Sequence, residues 1–385
     1  ADVTCLDYDP HCRLPTRASN MAVPKRMALT QMRSNDSSTS ISCSTIWTGL
    51  SPADTEKNLR SAPTLWRYAK AAGYDTSYLT SQHIIFHNMR EQMQDEPIDH
   101  FACGTTVDPL ADFDTGALDD KLSDYAIAHW GELKEPFFAV VQYSNQHYPY
   151  VADPAKSPFP YDAKQDKKAH KNLFAFYENV VYLSDLAVGK LLEHIRKSPS
   201  SERTVIVYTA DHGEAFGAEH RISGHTHSIF ENEIRVPGWI DAPAGTLTAE
   251  EEASIRGART TLLYHLDLAP TFLDLLGLWD DPALAPYRAR MPGHPLTRPE
   301  RTTGPVLFNN CAWIWEAQTP NWGAMDGTKK LIGRPDWGGA YHCHDVVADP
   351  NESKNLGEEA CGSLGALVRT VFPPFGGKHP VHPLN

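Results

Sequence analysis

The chain has 385 residues and a formal net charge of −13 at pH 7, with His counted as neutral. Hydrophobic residues make up 41% and charged residues 22% of it, an ordinary balance for a globular protein with a buried core. The acidic balance argues against broad binding of nucleic acid, which needs a basic surface, and no apolar run reaches the roughly 18 residues that cross a bilayer.

In the first half of the chain, helical patterns alternate with strand-like runs. Apolar residues at helical spacing cover residues 58–74, with an end near Gly73, and residues 119–133. A strand-like run follows each of them, at 75–82 and at 136–144. This alternation predicts an α/β fold, with a mostly parallel central sheet flanked by helices on both faces.

The second half continues this alternation. The longest helical pattern covers residues 172–198, and a β-branched strand follows at 203–211. Residues 260–278 are predicted to form a helix that is interrupted at Pro270 and ends near Gly277.

From about residue 300 the elements become short. A strand candidate at 305–310 precedes Trp- and Gly-rich segments that suggest a small antiparallel subdomain. We therefore expect an α/β domain over residues 1–300. Residues 301–385 are expected to add C-terminal strands and a small subdomain packed on the same core.

The seven Cys residues include no C-x-x-C pair, which favours a few disulfides in an oxidising compartment over a zinc finger. Cys5 with Cys12 and Cys311 with Cys343 are the candidate pairs. The first residues lack the basic start and apolar middle of a signal peptide. Either such a peptide was removed, or the chain is part of a longer protein.

The strongest local signal is "YTADHGEAFG" at residues 208–217. The preceding strand would bring Asp211 and His212 to the carboxyl edge of the sheet, where open α/β folds bind ligands, and Gly213 permits a sharp turn. An adjacent carboxylate and imidazole suit one divalent metal ion. A helix N-cap Asp beside an incidental His is the structural alternative.

Other His residues lie in loops that would meet the same edge. His147 follows the strand at 136–144, and His220, His225 and His227 lie within "HRISGHTHSIFENEIRVP". Each taken alone is equally well explained as a surface loop residue.

A polar stretch nearer the N-terminus, "NDSSTSISCSTIWTGLSP" at residues 35–52, offers many hydroxyls. Ser and Thr are common in loops because their side chains bond nearby backbone. An alcohol among them would need a metal or a base to act as a nucleophile.

Taken in order, these segments resemble the alkaline phosphatase superfamily, in particular its sulfatase-like branch, which includes phosphoethanolamine and phosphoglycerol transferases. The resemblance covers nearly the whole chain. The segments that carry it are "STIWTGLSP", "AGYDTSYLTSQH", "NQHYPY", "YTADHGEAFG", "HTHSIFENEIRVP", "HLDLAPTFLDLLGL", "DGTKKLIG" and "HDVVADPNESKNL".

The resemblance places the nucleophile at Thr39, counted back from Thr48 and Gly49. Sulfatases carry a Cys or Ser there, within a C-x-P-S-R pattern, and convert it to formylglycine. The aligned stretch here is "TSISC", in which Cys43 lies four residues too late. A Thr at this position resembles the phosphoethanolamine transferases, in which a zinc-bound Thr carries the transferred group.

The same resemblance implies a metal site and two catalytic His residues. Asp211 and His212 would bind the metal together with Thr39, and the metal would be Zn²⁺, with Ca²⁺ or Mn²⁺ as alternatives. His147 and His225 would contact phosphoryl oxygens or protonate the leaving group.

Substrate binding would involve further His residues. The resemblance adds His83 and His227 to His147 and His225 as substrate-binding residues. Sulfatases have a Lys two residues before His83, where this chain has Ser81, and this change weakens the case for a sulfate pocket.

One metal ligand is expected outside the given sequence. The family's first strand ends in an Asp or Glu that completes the metal site, and "ADVTC" resembles the turn after that strand. We therefore expect the strand and its carboxylate ahead of Ala1. Asp2, Asp7 and Asp9 follow no strand-like run and are poor substitutes.

Three functions compete. The leading hypothesis is a metal-dependent phosphoryl-type transferase or phosphodiesterase that uses Thr39 on phosphoethanolamine or phosphoglycerol headgroups of lipids or glycans. A sulfatase-type hydrolase is the alternative, because "ENEIRVP" and "DPNESKNL" look more sulfatase-like, and a non-catalytic module with a degraded site is the third. The resemblance also implies a monomer outside the cytoplasm, periplasmic or at the cell surface, with membrane association through segments outside this chain.

Overall fold

The computed structural model describes residues 26–86, 90, 93–162, 164, 169–217, 220–299, 304–310 and 320–375. Within this part of the chain, the strands form two three-stranded sheets, one four-stranded sheet and two short ladders. No helix in these ranges is long and apolar enough to cross a membrane.

A parallel sheet forms from the first two predicted strands and one short strand between them. Its strands are β3 Asp75–Thr80, β4 His100–Ala102 and β5 Phe137–Gln142, in the order β4-β3-β5. Both pairings are parallel, so the carboxyl ends of these strands share one edge. The predicted α/β fold with parallel strands is confirmed.

A second sheet carries the strand that leads into the predicted metal motif. It contains β1 Arg26–Ala28, β6 Ile206–Thr209 and β9 Gly238–Asp241, in the order β1-β9-β6, and both pairings are antiparallel. The short ladders pair β2 Met32–Arg33 with β10 Leu263–Tyr264, and β7 Ala215–Phe216 with β8 Ser223–Gly224.

Helices surround these sheets. They are α1 Thr39–Thr48, α2 Glu56–Ser61, α3 Leu65–Ala71, α4 Gly104–Val107, α5 Asp119–His129, α6 His170–Lys197, α7 Glu231–Ile234, α8 Ala249–Gly257, α9 Leu268–Leu275, α10 Ala285–Arg288 and α11 Leu364–Val371.

An aromatic cluster holds α1 against β3. The rings of Trp47 and Trp66 meet edge to face at 5.1 Å, and those of Trp66 and Tyr78 at 5.3 Å. All three side chains are buried, and Phe138 of β5 joins the same cluster. Because such pairs combine large apolar burial with a preferred ring geometry, they fix the position of α1 over the sheet.

The single helix predicted over residues 58–74 is wrong, because the chain forms two helices there. Ala62 ends α2 with extended backbone, at ψ 145°, and Pro63 follows it. A residue before proline avoids the helical region because its backbone would clash with the proline ring. The new helix α3 therefore begins only after this break.

The helix predicted over residues 260–278 also begins later than expected. Residues 263–264 form β10, and α9 begins only at Leu268. Pro270 does not interrupt this helix, because it lies in the first turn, where the missing amide has no helical partner to lose. Gly277 follows the end of α9 with φ 73°, as predicted for a C-terminal glycine.

The predicted C-terminal antiparallel sheet is confirmed. Its strands β11 Val306–Asn309, β12 Trp322–Asp326, β13 Lys329–Gly333 and β14 Tyr341–Asp345 pair in chain order. A bridge from Asn309 to Asp36 joins this sheet to the loop before α1.

The predicted disulfide between Cys311 and Cys343 is wrong, because Cys343 is bonded to Cys361. This bond ties β14 to the segment before α11. The predicted Cys5–Cys12 pair and Cys311 lie outside the described residues.

Candidate active site

Thr39 is the first residue of α1, so its hydroxyl lies at the helix N-terminus. Ser38 precedes it in an extended conformation, and the Ser38 amide donates a 2.7 Å hydrogen bond to Asp36 Oδ1. The Thr39 side chain is nearly buried, and its Oγ1 lies 3.2 Å from His212 Nε2. The predicted nucleophile position and one predicted metal ligand are therefore in contact.

The Asp-His-Gly turn after β6 is held by helix α7. The Gly213 amide donates to the backbone oxygen of Glu233 at 2.7 Å. A Cβ at position 213 would lie 2.4 Å from the backbone oxygen of Asn232, so only glycine allows this approach. The turn thereby sets Asp211 and His212 at the end of the strand, as predicted.

The ring of His212 has a fixed orientation. Its Nδ1 lies 2.8 Å from the Gly213 carbonyl oxygen. Because a carbonyl oxygen only accepts, Nδ1 carries the proton, and the Nε2 lone pair of the neutral ring is left for a ligand. That nitrogen lies 3.2 Å from Thr39 Oγ1 and 3.5 Å from Asp211 Oδ2.

This spacing fits a shared metal ion. Two tetrahedral ligands that each lie about 2.0–2.1 Å from zinc are about 3.3 Å apart. The Thr39, Asp211 and His212 donor atoms approach one another at 3.2 and 3.5 Å. Within the described ranges, no group of three or more His, Cys, Asp or Glu side chains that could hold a metal occurs.

Asp211 and His212 shift each other's pKa in opposite directions. Burial opposes ionisation of Asp211, but His212 and the Thr39 hydroxyl outweigh it and hold the pKa of Asp211 below its usual value. Burial likewise lowers the pKa of His212, whereas Asp211 and the Gly213 carbonyl raise it above its usual value overall. Asp211 is therefore a carboxylate, which is the form that binds a cation.

Ser42 connects α1 to this turn. Its hydroxyl donates to the backbone oxygen of Asp211, and its Oγ also lies 3.0 Å from His265 Nδ1. Burial lowers the pKa of His265 to about 3, so this ring stays neutral. His265 is a supporting residue that its motif, "HLDLAPTF", did not single out.

Two more predicted His residues meet at the site. The ring centroid of His225 lies 4.4 Å from that of His212 and 5.0 Å from that of His147. His225 Nδ1 also lies 2.9 Å from Glu214 Oε2. The sequence interpretation missed Glu214, although it follows directly after Asp-His-Gly.

The predicted substrate residue His83 lies at the end of a row of aromatic rings. His83 contacts Phe113 at 5.6 Å, Phe113 contacts Phe86 at 5.7 Å, and Phe86 contacts His147 at 4.8 Å. Ser81 is not part of this row, and its buried hydroxyl donates a 2.8 Å hydrogen bond to Asp119 Oδ1. The row therefore links His83 to His147 through two phenylalanine rings.

The two remaining His residues of the loop have structural contacts. The His227 amide donates to Glu233 Oε2 at 3.1 Å, and the His227 carbonyl accepts from Asn321 Nδ2 at 3.0 Å. His220 stacks on Phe230 at 3.6 Å. These contacts leave the substrate-binding role of His227 a prediction.

Cys43 is buried among aromatic rings. It lies one turn after Thr39 in α1 and belongs to the cluster around Trp47 and Trp66. Burial and nearby Asp211 raise the pKa of the Cys43 thiol well above its usual value, which keeps the unreactive thiol form.

A large cavity adjoins the site. It has a volume of about 1040 Å³ and extends between β5 and β6, with apolar side chains of α6 and α9 along its walls. Thr39, Asp211 and His212 line one end of it. In the described residues, β5 pairs only with β3, and β6 only with β9.

Known proteins share this fold. A family model described as Sulfatase matches residues 3–278. Choline-sulfatase of Rhizobium meliloti (strain 1021) is 23% identical over 287 residues, which cover 64% of this chain and 51% of that protein. The chain spans about half the length of the curated relatives it matches first, with 51% and 54% of their lengths covered.

Solved structures give the same result. BT4656, solved in complex with its substrate D-glucosamine-2-N,6-O-disulfate, has a TM-score of 0.66 at 16% identity over 91% of this chain and 93% of that one. The phosphonate monoester hydrolase of Agrobacterium radiobacter has a TM-score of 0.60 at 16% identity over 96% and 91% of the two chains. At such identities the likeness shows the fold.

Proposed function

Because the chain belongs to the sulfatase family, whose model matches residues 3–278, we propose that it is a metal-dependent enzyme acting on phosphate or sulfate esters with Thr39 as its nucleophile. One observation carries this proposal. Thr39 Oγ1, at the N-terminus of a buried helix, lies 3.2 Å from a His212 nitrogen that is oriented as a ligand. No such arrangement is needed for a hydroxyl that only caps a loop.

Thr39 favours a phosphodiester over a sulfate ester. Formylglycine forms from Cys or Ser in the sulfatases that the motif resembles, and this chain has Thr at the matching position. A Thr oxygen can instead displace an alcohol from phosphorus and be released in a second step. We therefore place phosphodiesters first, with phosphoethanolamine and phosphoglycerol headgroups as the class to test.

Thr39 would act as the nucleophile and His225 as the proton donor and acceptor. A divalent metal held by Thr39, Asp211 and His212 would lower the pKa of the Thr39 hydroxyl and stabilise the charged ester oxygens. The ionised Thr39 oxygen attacks phosphorus, the bond from phosphorus to the leaving alcohol oxygen breaks, and His225 gives that oxygen a proton. Water or an acceptor alcohol then attacks phosphorus, the Thr39–phosphorus bond breaks, and His225 takes the attacker's proton.

Matched variants test this proposal. Purified protein supplied with Zn²⁺ should cleave bis(4-nitrophenyl) phosphate, and Thr39→Ala should lower turnover by at least about a thousandfold. Cys43→Ala, one helical turn away, is the control and should keep activity. Equal turnover by Thr39→Ala and the parent chain would refute the proposed nucleophile.

A sulfatase-type hydrolase is the second candidate, and the relatives favour it. Choline-sulfatase and BT4656, whose substrate is a sulfated sugar, both match this chain. Turnover of 4-nitrophenyl sulfate, with formylglycine found at Cys43 by peptide mass spectrometry, would establish this alternative. A chain that binds no metal and cleaves neither ester would instead be a non-catalytic module.

We also propose that zinc is the metal, because its borderline chemistry accepts both oxygen and nitrogen ligands. Metal analysis of the purified protein separates zinc from Ca²⁺ and Mn²⁺. Thr39, Asp211 and His212 are three donors, and a further carboxylate would complete a four-coordinate site. Asp211→Ala should lower the bound metal content without loss of the fold.

The cavity between β5 and β6 supports the predicted extra strand. We propose that polypeptide outside the described residues adds a strand there and brings a carboxylate to the site. Alternate amides of β5 would then bond to this strand while the others bond to β3. Hydrogen exchange of the full protein should find every amide of Phe137–Gln142 protected, and rapid exchange of alternate amides would contradict the strand.

We also propose where the enzyme acts and in what oligomeric state. The Cys343–Cys361 disulfide supports an extracytoplasmic location, periplasmic or at the cell surface, because disulfides persist in oxidising compartments. A monomer that reaches lipid headgroups through segments outside this chain fits that location. Cell fractionation and sedimentation of the purified protein test these two points.

A further inference from the structure

We propose that Glu214 is a positioning residue that orients His225 for proton transfer to the leaving group. This inference rests on the proposed function, because it assigns the origin of one proton in that reaction. It adds a residue that the motif comparison did not assign. The geometry that supports it comes from a short hairpin, from hydrogen-bond chemistry and from burial.

The hairpin sets the two residues opposite each other. In the ladder of β7 and β8, Ala215 pairs with Gly224 and Phe216 with Ser223, in antiparallel register. One step further along this register places Glu214 opposite His225. Side chains at such positions are close neighbours on one face of a ladder. The hairpin thus returns the chain to the Asp-His-Gly turn with His225 beside Glu214.

The hydrogen bond fixes which nitrogen of His225 transfers the proton. Glu214 Oε2 lies 2.9 Å from His225 Nδ1, and both side chains are largely buried. A carboxylate only accepts, so Nδ1 carries a proton in both charge states of the ring. Nε2 is then the nitrogen that gains and loses a proton, on the far side of the ring from Glu214.

The surroundings keep Glu214 charged and the phenols of Tyr150 and Tyr177 neutral. Burial opposes ionisation of Glu214, but His225, His212 and His147 outweigh it and lower its pKa. Burial and the charge of Glu214 raise the pKa of both Tyr150 and Tyr177, so these phenols stay neutral.

This arrangement gives Glu214 a role distinct from metal binding. Its Oε2 is engaged by His225 Nδ1 at 2.9 Å, whereas the proposed donor atoms of Thr39, Asp211 and His212 approach one another at 3.2 and 3.5 Å. The carboxylate holds Nδ1 of His225, and the His225 ring lies beside the rings of His212 and His147. Leaving groups that need a proton should therefore depend on Glu214.

Leaving-group dependence tests this inference. Turnover of alkyl phosphodiesters needs protonation of an alkoxide, whereas 4-nitrophenolate leaves without a proton. In the first turnover, before the second step that both substrates share, Glu214→Gln should slow release of the alkyl alcohol by about 10²–10³-fold and release of 4-nitrophenolate by less than about tenfold. His225→Asn should show the same selectivity, and the double variant should be no slower than His225→Asn alone.

The outcomes separate this inference from the proposed function. If the parent chain cleaves neither substrate, the proposed function fails. If the parent is active and Glu214→Gln slows release of both leaving groups equally in the first turnover, the positioning role is wrong while the proposed nucleophile stands. Bound zinc and thermal stability should stay unchanged, and Glu214→Asp should recover part of the alkyl activity.

A second measurement applies if Glu214→Gln does not fold. Nitrogen NMR of ¹⁵N-His-labelled parent protein should show His225 protonated at Nδ1 when the ring is neutral. A neutral His225 protonated at Nε2 would overturn the inference without any variant. Glu214→Asp, which keeps the charge, then serves as the variant for the substrate comparison.

Discussion

Replacing Lys330 with Met should destabilise the protein by several kcal/mol. Lys330 is fully buried, and its Nζ lies 3.1 Å from Glu231 Oε1 and 2.9 Å from Glu352 Oε1. Glu231 also forms an ion pair with Arg33, whose Nη2 lies 2.7 Å from Glu231 Oε2. Two cations and two carboxylates thus balance inside the core, where they join β2, α7 and β13.

The magnitude follows from this charge balance. Removing one partner of a buried ion pair costs about 3–5 kcal/mol, because an unpaired charge is left in the interior. Burial and the nearby Glu231 raise the pKa of Glu352, so protonation of Glu352 can relieve part of this cost. The destabilisation by Lys330→Met should therefore be larger at about pH 8 than at about pH 5.

A second substitution checks the reasoning. Glu352→Gln removes one negative charge, so the chain with both Lys330→Met and Glu352→Gln should recover much of the lost stability. Urea unfolding followed by circular dichroism measures the free energy of unfolding of the three chains at both pH values. A loss below about 1 kcal/mol at the higher pH, or a double variant no more stable than Lys330→Met, would refute the account.

Three further predictions concern other parts of the fold. Burial lowers the pKa of His344 from 6.5 to about 4, so the unfolded chain binds a proton before the folded chain does as the pH falls. Lowering the pH from 6.5 to about 4 should therefore reduce the free energy of unfolding by up to about 3 kcal/mol. His344→Gln should flatten the pH dependence of urea unfolding there, and an unchanged slope would contradict this. Replacing Cys343 and Cys361 with Ser should lower the free energy of unfolding by about 3 kcal/mol, since the bond closes a loop with a sequence separation of 18, and equal urea midpoints would disprove it. Gly213→Ala should abolish zinc binding in a calorimetric titration while Gly257→Ala, whose Cβ would meet nothing within 4 Å, keeps it; equal affinities would show that the turn tolerates a side chain.

The Asp-His-Gly turn could be predicted because its residues are adjacent in sequence. A β-branched strand followed by Asp211, His212 and Gly213 carries both the edge of the sheet and the turn within one short segment. Thr39 lies far from them in sequence, and only the family resemblance could place it beside His212. The observed distance of 3.2 Å agrees with that placement.

Glu214 and His265 could not be found in this way, because their roles depend on tertiary contacts. Glu214 meets His225 through the register of a two-residue ladder that no hydrophobic pattern specifies. His265 contacts Ser42 across 223 positions of sequence. Local composition carries no information about such contacts.

The wrong disulfide prediction has a similar cause. Seven Cys residues permit many pairings, and sequence spacing does not fix which two lie within bonding distance. Cys343 meets Cys361 because the chain turns back from β14 before α11.

The helix break before Pro63, in contrast, can be predicted from the sequence, since proline restricts the backbone of the preceding residue.

Trapping the covalent intermediate tests directly whether Thr39 is the nucleophile. Protein supplied with Zn²⁺ is mixed with a phosphodiester, quenched in acid within the first turnover, digested and analysed by mass spectrometry. We predict a phosphoryl-type adduct on Thr39 that is absent from Thr39→Ala. An adduct on another residue, or formylglycine at Cys43, would contradict it.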